Sequence, residues 1–151
     1  MPEGKIGHII REGPTMTETR TGGCLCKAVR YELTAAPIAT LVCNCTNCQH
    51  SSGSALSTIA LVPRAGLAVT GELKGYEYAG HSGGKLEINF CPHCGSPVLL
   101  NIRNMPDIVS IKVGSCDDTS WFKPTINIWT HSAQAWLPEI AGCQAFAGNS
   151  R

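Results

Sequence analysis

The chain has 151 residues, of which 43% are hydrophobic and 15% are charged, and its formal net charge is +1. This size and composition predict a single domain with a sizeable core. A charge so close to neutral, without a basic stripe, argues against nucleic-acid binding, and no apolar run approaches the 18 or so residues of a membrane span.

The first 20 residues are interpreted as a mobile lead-in to a domain over residues 21–142, which a tail over residues 143–151 follows. Several charged residues and no apolar stretch occur in the lead-in, so we expect no secretory signal. The nine cysteines, an odd number, argue against a complete disulfide framework. We therefore expect a cytoplasmic protein, in a reducing compartment where free thiols survive.

Most of the elements that the sequence predicts are strands. Val29, Tyr31 and Leu33 alternate with Arg30 and Glu32, which is the period of a strand with one face in water. Paired glycines predict a hairpin turn over residues 82–85. We expect further strands over residues 55–62, 67–69, 86–90, 108–113 and 125–130, with short helical turns only at residues 46–49 and 119–122. The predicted fold class is mainly β, with many loops and little helix.

Seven cysteines fall in three tight groups, Cys24 and Cys26, then Cys43, Cys45 and Cys48, then Cys91 and Cys94. Thiolates this close in sequence can converge on one ion about 2.3 Å from each sulfur, as in tetrahedral zinc sites. The Cys91–Cys94 segment is typical of a zinc knuckle, which supplies two ligands. Cys24 and Cys26 are the obvious second pair, and together the four would form a closed structural site.

The central group then holds three sulfurs. Three ligands without a fourth cysteine are typical of an open metal site, which keeps one position for substrate. Two alternatives stay open from the residues alone: His50 closes the site as a fourth ligand, or the cysteines are reduced and hold no metal. An open zinc site would favour chemistry on a small thiol, because zinc lowers the pKa of a bound thiol.

These motifs resemble a known family. They are the Cys24-Leu-Cys26 and Cys43-x-Cys45-x-x-Cys48 patterns, Phe90-Cys-Pro-His-Cys-Gly-Ser-Pro97, Gly114-Ser-Cys-Asp-Asp118, Ile128-Trp129 and Trp136. Their succession is similar to the glutathione-dependent formaldehyde-activating enzyme family, which shares a domain with CENP-V. The resemblance runs from about Thr21 to Trp136. Asn44 stands where relatives often have histidine, and Gln49 where they often have a basic residue.

The resemblance implies a zinc-bearing β-tent fold with two zinc ions per chain. It implies that Cys24, Cys26, Cys91 and Cys94 hold the structural zinc, and that Cys43, Cys45 and Cys48 hold the catalytic zinc. The implied activity is that of a carbon–sulfur lyase that joins glutathione to formaldehyde as S-hydroxymethylglutathione.

We therefore expect an enzyme that joins a small thiol to an aldehyde at the central cysteines, with His50 or a water molecule moving the proton. The oligomeric state stays open, and a homo-oligomer is compatible with the sequence. One alternative is a zinc-stabilised protein-binding module without catalysis. Another is a thiol redox enzyme similar to methionine sulfoxide reductases, with Cys116 or Cys143 as nucleophile.

Overall fold

The computed structural model describes residues 15–150 and confirms a mainly β fold. The strands are β1 (Thr15–Gly23), β2 (Arg30–Ala35), β3 (Ala39–Cys43), β4 (Ser57–Pro63), β5 (Leu67–Thr70), β6 (Lys74–Ala79), β7 (Lys85–Phe90), β8 (Pro97–Ile102), β9 (Ile108–Lys112), β10 (Ile126–Ile128) and β11 (Gln144–Ala145). A single α-helix, α1 (Thr46–Ser52), lies among these described residues, with short 3-10 turns elsewhere. None of the helices described is long and apolar enough to span a membrane.

The strands form two sheets. The small sheet has the order β1-β2-β5, and the large sheet has the order β11-β10-β3-β4-β9-β8-β7-β6. Neighbouring strands are antiparallel except at β10, which runs parallel to both β3 and β11. This pairing places β10 beside β3, the strand that leads into the central cysteines, and β11 on the other side of β10.

The central strands of the large sheet, β4 and β9, are buried on both faces, and the two faces have different roles. On β4, Ala60 and Val62 pack with Tyr31 and Leu33 of the small sheet in the main core. The alternate residues of β4, among them Ile59, lie in a second cluster with the central cysteines. Because side chains alternate along a strand, β4 separates the main core from the cysteine site.

Most of the predicted elements occur where the sequence places them. The predicted helical turn at residues 46–49 is the start of α1, and the glycine hairpin joins β6 to β7. Residues 119–122 form one hydrogen-bonded turn, in which Phe122 N–H donates to the Thr119 carbonyl, and no helix. Asp118 accepts the Ser120 N–H, so local bonding satisfies this segment without a helix.

The ends of the predicted domain differ from the observed elements. Residues 1–14 of the predicted lead-in lie outside the described residues, whereas residues 15–20 belong to β1. The predicted tail contains β11, which pairs with β10. Both segments carry β-ladder hydrogen bonds that local sequence patterns do not reveal.

Candidate metal centres and the adjoining cavity

The first candidate metal centre lies where the end of β1 meets the turn between β7 and β8. The sulfur atoms of Cys24, Cys26, Cys91 and Cys94 all lie within 4.8 Å of one another. The Cys24 and Cys26 sulfurs are 3.5 Å apart, and those of Cys26 and Cys91 are 3.7 Å apart. Two sulfurs bound at 2.3 Å to one tetrahedral ion lie about 3.8 Å apart, so this four-sulfur group fits a zinc ion.

The backbone around this centre supports negatively charged sulfur. The Val29 N–H donates to Cys24 Sγ over 3.2 Å, and the Ser96 hydroxyl lies 3.2 Å from Cys94 Sγ. Hydrogen bonds with Ser96 lower the pKa of the Cys94 thiol to about 5. Hydrogen bonding favours the thiolate, which is the form that binds metal.

The turn that carries Cys91 and Cys94 depends on a glycine. Gly95 N–H donates to the Cys91 carbonyl over 2.9 Å, and Gly95 has a φ of +76°. Glycine adopts this left-handed conformation without a steric penalty. The segment thus forms the tight turn that a zinc knuckle needs, and this turn brings both cysteines to the pair after β1.

The second candidate metal centre is the cysteine trio, which consists of Cys43, Cys45 and Cys48. Cys43 ends β3, Cys45 caps the N-terminus of α1, and Cys48 lies in its first turn. Their sulfurs lie within 4.8 Å of one another, and no histidine, aspartate or glutamate of the described residues joins this group. The trio therefore fits a metal ion with a remaining coordination position, and its thiol ligands are consistent with zinc.

The surroundings of the trio favour a negatively charged sulfur at Cys45. Hydrogen bonds from the Cys43 and Cys48 side chains lower the pKa of the Cys45 thiol to about 2. The Cys48 N–H also approaches Cys45 Sγ to 3.4 Å. The hydrogen bond with Cys43 lowers the pKa of the Cys48 thiol, but the hydrogen bond with Cys45 and burial raise it, to about 11 in all. The buried Lys112 side chain, which donates to Ser57 Oγ over 2.9 Å, has a smaller influence that lowers the pKa of Cys48. Of the three sulfurs, Cys45 is therefore the one whose surroundings favour the thiolate, which is the form that binds metal.

A cavity of about 290 Å³ opens beside the trio, and all three cysteines contribute to its lining. Most of the lining is apolar and comes from the large sheet, from the loop between β8 and β9, and from the residues after β10. The apolar lining residues are Leu41, Ile59, Leu61, Tyr78, Leu86, Leu100, Ile102, Met105, Ile128 and Trp129. A small molecule that reaches the trio through this cavity meets mainly hydrocarbon.

The structure does not bring His50 to the trio. His50 is exposed on α1, and its Nδ1 lies 2.8 Å from the Thr46 carbonyl oxygen. His81, in the hairpin between β6 and β7, instead lines the cavity. Its Nε2 lies 3.1 Å from Thr46 Oγ1, and its ring is 5.3 Å from the Trp129 ring. His81 is the histidine that sequence reasoning missed, because only tertiary packing of the hairpin places it beside the trio.

The segment after β10 bounds the cavity. Trp129 lines it in a left-handed backbone conformation, with a φ of +58°. The His131 ring lies 5.5 Å from the Trp129 ring at an interplanar angle of 59°, and His131 is absent from the described lining of the cavity. A non-glycine residue with positive φ is uncommon, so surrounding contacts determine the position of this tryptophan.

Asn44 and Gln49 hold this segment against the trio. The fully buried Asn44 donates from Nδ2 to Asn127 Oδ1 over 2.6 Å and to the Ile128 carbonyl over 2.9 Å. Gln49 Nε2 donates to the Ser132 carbonyl over 2.9 Å. These two positions, where the resembling family often has other residues, are thus part of the support of the cavity wall.

The two cysteines outside the clusters lie in other surroundings. Cys116 Sγ lies 3.2 Å from the Tyr31 hydroxyl, and Cys143 Sγ lies 3.2 Å from the Pro124 carbonyl oxygen. Burial raises the pKa of both thiols. Reactive cysteines have lowered pKa values, so neither environment favours the redox alternative.

Comparisons with known proteins agree with this geometry. A family model described as glutathione-dependent formaldehyde-activating enzyme matches residues 19–132, which include both candidate metal centres. Among solved structures, the crystal structure of a Rhodobacter sphaeroides protein is similar, with a TM-score of 0.51 and 20% sequence identity. That similarity covers 64% of this chain and 87% of the other, and at such low identity it shows the fold alone. No curated protein matches the chain.

Proposed function

Because the chain belongs to the glutathione-dependent formaldehyde-activating enzyme family, we propose that it is a zinc-dependent enzyme that joins a small thiol to an aldehyde. The thiol is one such as glutathione, the aldehyde one such as formaldehyde, and the reaction class is that of the carbon–sulfur lyases. The observation that carries this proposal is the cysteine trio, whose three thiols share one buried site at the end of an open cavity.

Two zinc ions are assigned to the chain in this proposal. Cys24, Cys26, Cys91 and Cys94 hold the structural ion, and Cys43, Cys45 and Cys48 hold the catalytic ion. The catalytic ion supplies Lewis acidity, which lowers the pKa of a thiol bound to it. Cytoplasmic localisation is part of the same proposal, since all nine cysteines are free in the fold and a reducing compartment keeps them so.

The protein residues place the two reactants side by side. In the reaction, a bond forms between the thiol sulfur and the carbonyl carbon, the carbon–oxygen double bond becomes single, and the thiol proton moves to the oxygen. The trio fixes where the sulfur lies, and the cavity wall restricts where the carbonyl can lie. Holding two reactants in this way supplies much of the rate enhancement of such reactions.

We assign the proton transfer to His81. Its ring lines the cavity, and the contact between Nε2 and Thr46 Oγ1 leaves Nδ1 to exchange a proton. A histidine is the usual side chain for this task near neutral pH. His50 lacks such access, because its exposed ring bonds to the Thr46 carbonyl and is absent from the described cavity lining.

A Cys45→Ser substitution tests the assignment of the trio. We expect the zinc-loaded wild-type protein to accelerate adduct formation between several thiols and aldehydes, measured by NMR exchange spectroscopy. Loss of an outer-shell partner of a metal ligand typically costs about 10- to 100-fold, so loss of the ligand itself in Cys45→Ser should cost at least about 100-fold.

Cys143→Ser is the matched control, because Cys143 lies outside both clusters, and it should retain full activity. An unchanged adduct rate with wild-type protein would refute the proposed function. If Cys45→Ser loses its native circular dichroism spectrum, the trio is a structural site and the binding-module alternative gains support.

A further inference from the structure

The cavity beside the trio is much larger than formaldehyde. Its volume is about 290 Å³, whereas an apolar cavity of about 150 Å³ is enough to bind benzene. At the roughly 30 Å³ that one water molecule occupies in the liquid, the cavity has room for about ten non-hydrogen atoms. Formaldehyde has two such atoms, so it would leave most of this space without protein contacts.

The composition of the wall also argues against a strongly charged occupant. No lysine, arginine, aspartate or glutamate is found in the described lining. Glutathione carries two carboxylates and an ammonium group, and burying such charges without partners is costly. The cavity wall is therefore suited to the aldehyde, whose only essential polar group is the carbonyl at the trio.

Several polar residues also line the cavity, and one of them, at a distance from the trio, is buried without a hydrogen-bond partner. Ser110 is 1% exposed and lines the cavity, and its Oγ has no hydrogen-bond partner among the described residues. Ser57 pairs with Cys43, and Leu61 pairs with Ser110. These two β4 residues are about 13 Å apart along the strand, at roughly 3.3 Å per residue.

A buried hydroxyl without a partner is unfavourable, because it has lost its hydrogen bonds to water. An occupant that reaches this part of the cavity with an oxygen atom would restore such a bond. The free hydroxyl thus points to a ligand that extends well beyond the trio, in agreement with the volume of the cavity.

We infer that the aldehyde is a medium-sized apolar one, with its carbonyl at the trio and an aliphatic or aromatic group in the cavity. Ser110 then hydrogen-bonds an oxygen atom carried at the far end of the larger substrates. This inference rests on the proposed function and deepens it by naming the class of aldehyde.

The first test is a series of straight-chain aldehydes from formaldehyde to heptanal, with glutathione as the thiol and zinc-loaded wild-type protein. Each catalysed rate is divided by the uncatalysed rate for the same aldehyde. We expect kcat/KM to rise about fourfold for each methylene that becomes buried. A preference for formaldehyde with a flat or falling series would overturn the inference and leave the proposed function standing. Acceleration of no aldehyde would instead refute the proposed function, and the aldehyde assignment with it.

Variants that narrow the cavity test whether the preference for longer aldehydes arises in the cavity. Met105→Trp fills the cavity from a half-buried loop position, so kcat/KM for hexanal should fall about tenfold or more, with formaldehyde little affected. Ala141→Trp, at an exposed position outside the described lining, is the matched control and should change neither. Leu61→Phe is the second narrowing variant if Met105→Trp does not fold. Equal losses for both aldehydes would contradict the inference.

A binding measurement gives a readout that does not depend on turnover. Hexan-1-ol, an unreactive probe, should shift the indole NMR signal of Trp129, which lines the cavity, and leave that of the exposed Trp136 unchanged. Ser110→Ala should weaken the binding of 8-hydroxyoctanal relative to that of octanal by about 2- to 13-fold, the usual range for one hydrogen bond. No shift at Trp129 up to the solubility limit of the alcohol would overturn the inference.

Discussion

Asn44 illustrates how one buried side chain supports a candidate site to which it does not itself contribute a ligand. It lies between two cysteines of the trio, yet its side chain points to Asn127 and Ile128 on β10. Its backbone N–H also donates to the Ile128 carbonyl, over 3.1 Å. A short polar side chain therefore links the loop of the trio to the neighbouring strand and fixes the position of both.

An Asn44→Ala substitution should lower the free energy of unfolding by about 1–3 kcal/mol, because Asn127 Oδ1 then stays buried without its partner. Urea unfolding of the zinc-loaded protein, followed by circular dichroism, measures the change. Asn104→Ala removes the same atoms at an exposed position and should have little effect. Equal stabilities of the two variants would show that the bond to Asn127 is not a net contributor.

At the scale of elements, the turn after β7 needs glycine at position 95 because of its backbone conformation and not because a side chain there would clash. A Cβ atom added at Gly95 would meet no other atom within 4 Å, but its φ of +76° is unfavourable for other residues. Gly95→Ala should therefore destabilise the protein by about 1–2 kcal/mol, the usual cost of a left-handed conformation.

Thermal unfolding in the presence of zinc measures this cost. Gly84→Ala is the matched control, because a Cβ atom there also meets nothing and no left-handed φ is involved. A melting temperature as high for Gly95→Ala as for Gly84→Ala would show that the knuckle tolerates the strain or changes shape to avoid it.

The elements that the sequence predicts best are strands with one face exposed to solvent. Alternation of charged and apolar residues reveals β2 and β7, and the glycine pair reveals the hairpin between β6 and β7. β8 escapes prediction because Val98, Leu99 and Leu100 are all buried, so its short apolar run has no period. β1 escapes because its residues are polar or glycine apart from Met16 and show no apolar alternation, and β11 escapes because it is only two residues long.

The same distinction holds at the candidate site. Cysteine spacing predicts both groups of sulfur atoms, because the ligands of each local group are neighbours in sequence. His81, Ser110 and Trp129 come from three separate elements and meet only when the sheet is assembled. No local pattern marks them, and the histidine nearest the trio in sequence, His50, points elsewhere.

At the scale of the whole molecule, the four-cysteine centre joins the two sheets. Cys24 follows β1 of the small sheet, and Cys91 follows β7 of the large sheet. A metal bound there closes a long loop of chain, and its binding free energy adds directly to the stability of the fold. The trio, by contrast, draws all three ligands from one short segment at the edge of α1.

Removal of metal should therefore have its largest effect at the junction of the sheets. We expect a strong chelator to lower the melting temperature markedly and to increase hydrogen exchange in residues 24–29 and 91–96, and added zinc should reverse both changes. Cys91→Ser should reproduce most of the loss of stability, because Cys91 is fully buried in the main core. Cys45→Ser should cause a much smaller loss of stability. Equal effects of the two substitutions would contradict the division into a structural and an open site.

Pairing of β11 and the residues after it with β10 and residues 129–131 brings the last described residues back to the cavity. Asn149 and Ser150 contribute to the lining of the cavity, and Trp129 N–H donates to the Gly148 carbonyl. An affinity tag fused after these residues would begin beside the cavity and compete with incoming molecules. Trimming the chain back to residue 142 would remove part of the lining, so preparations for kinetic work should carry any tag at the other end.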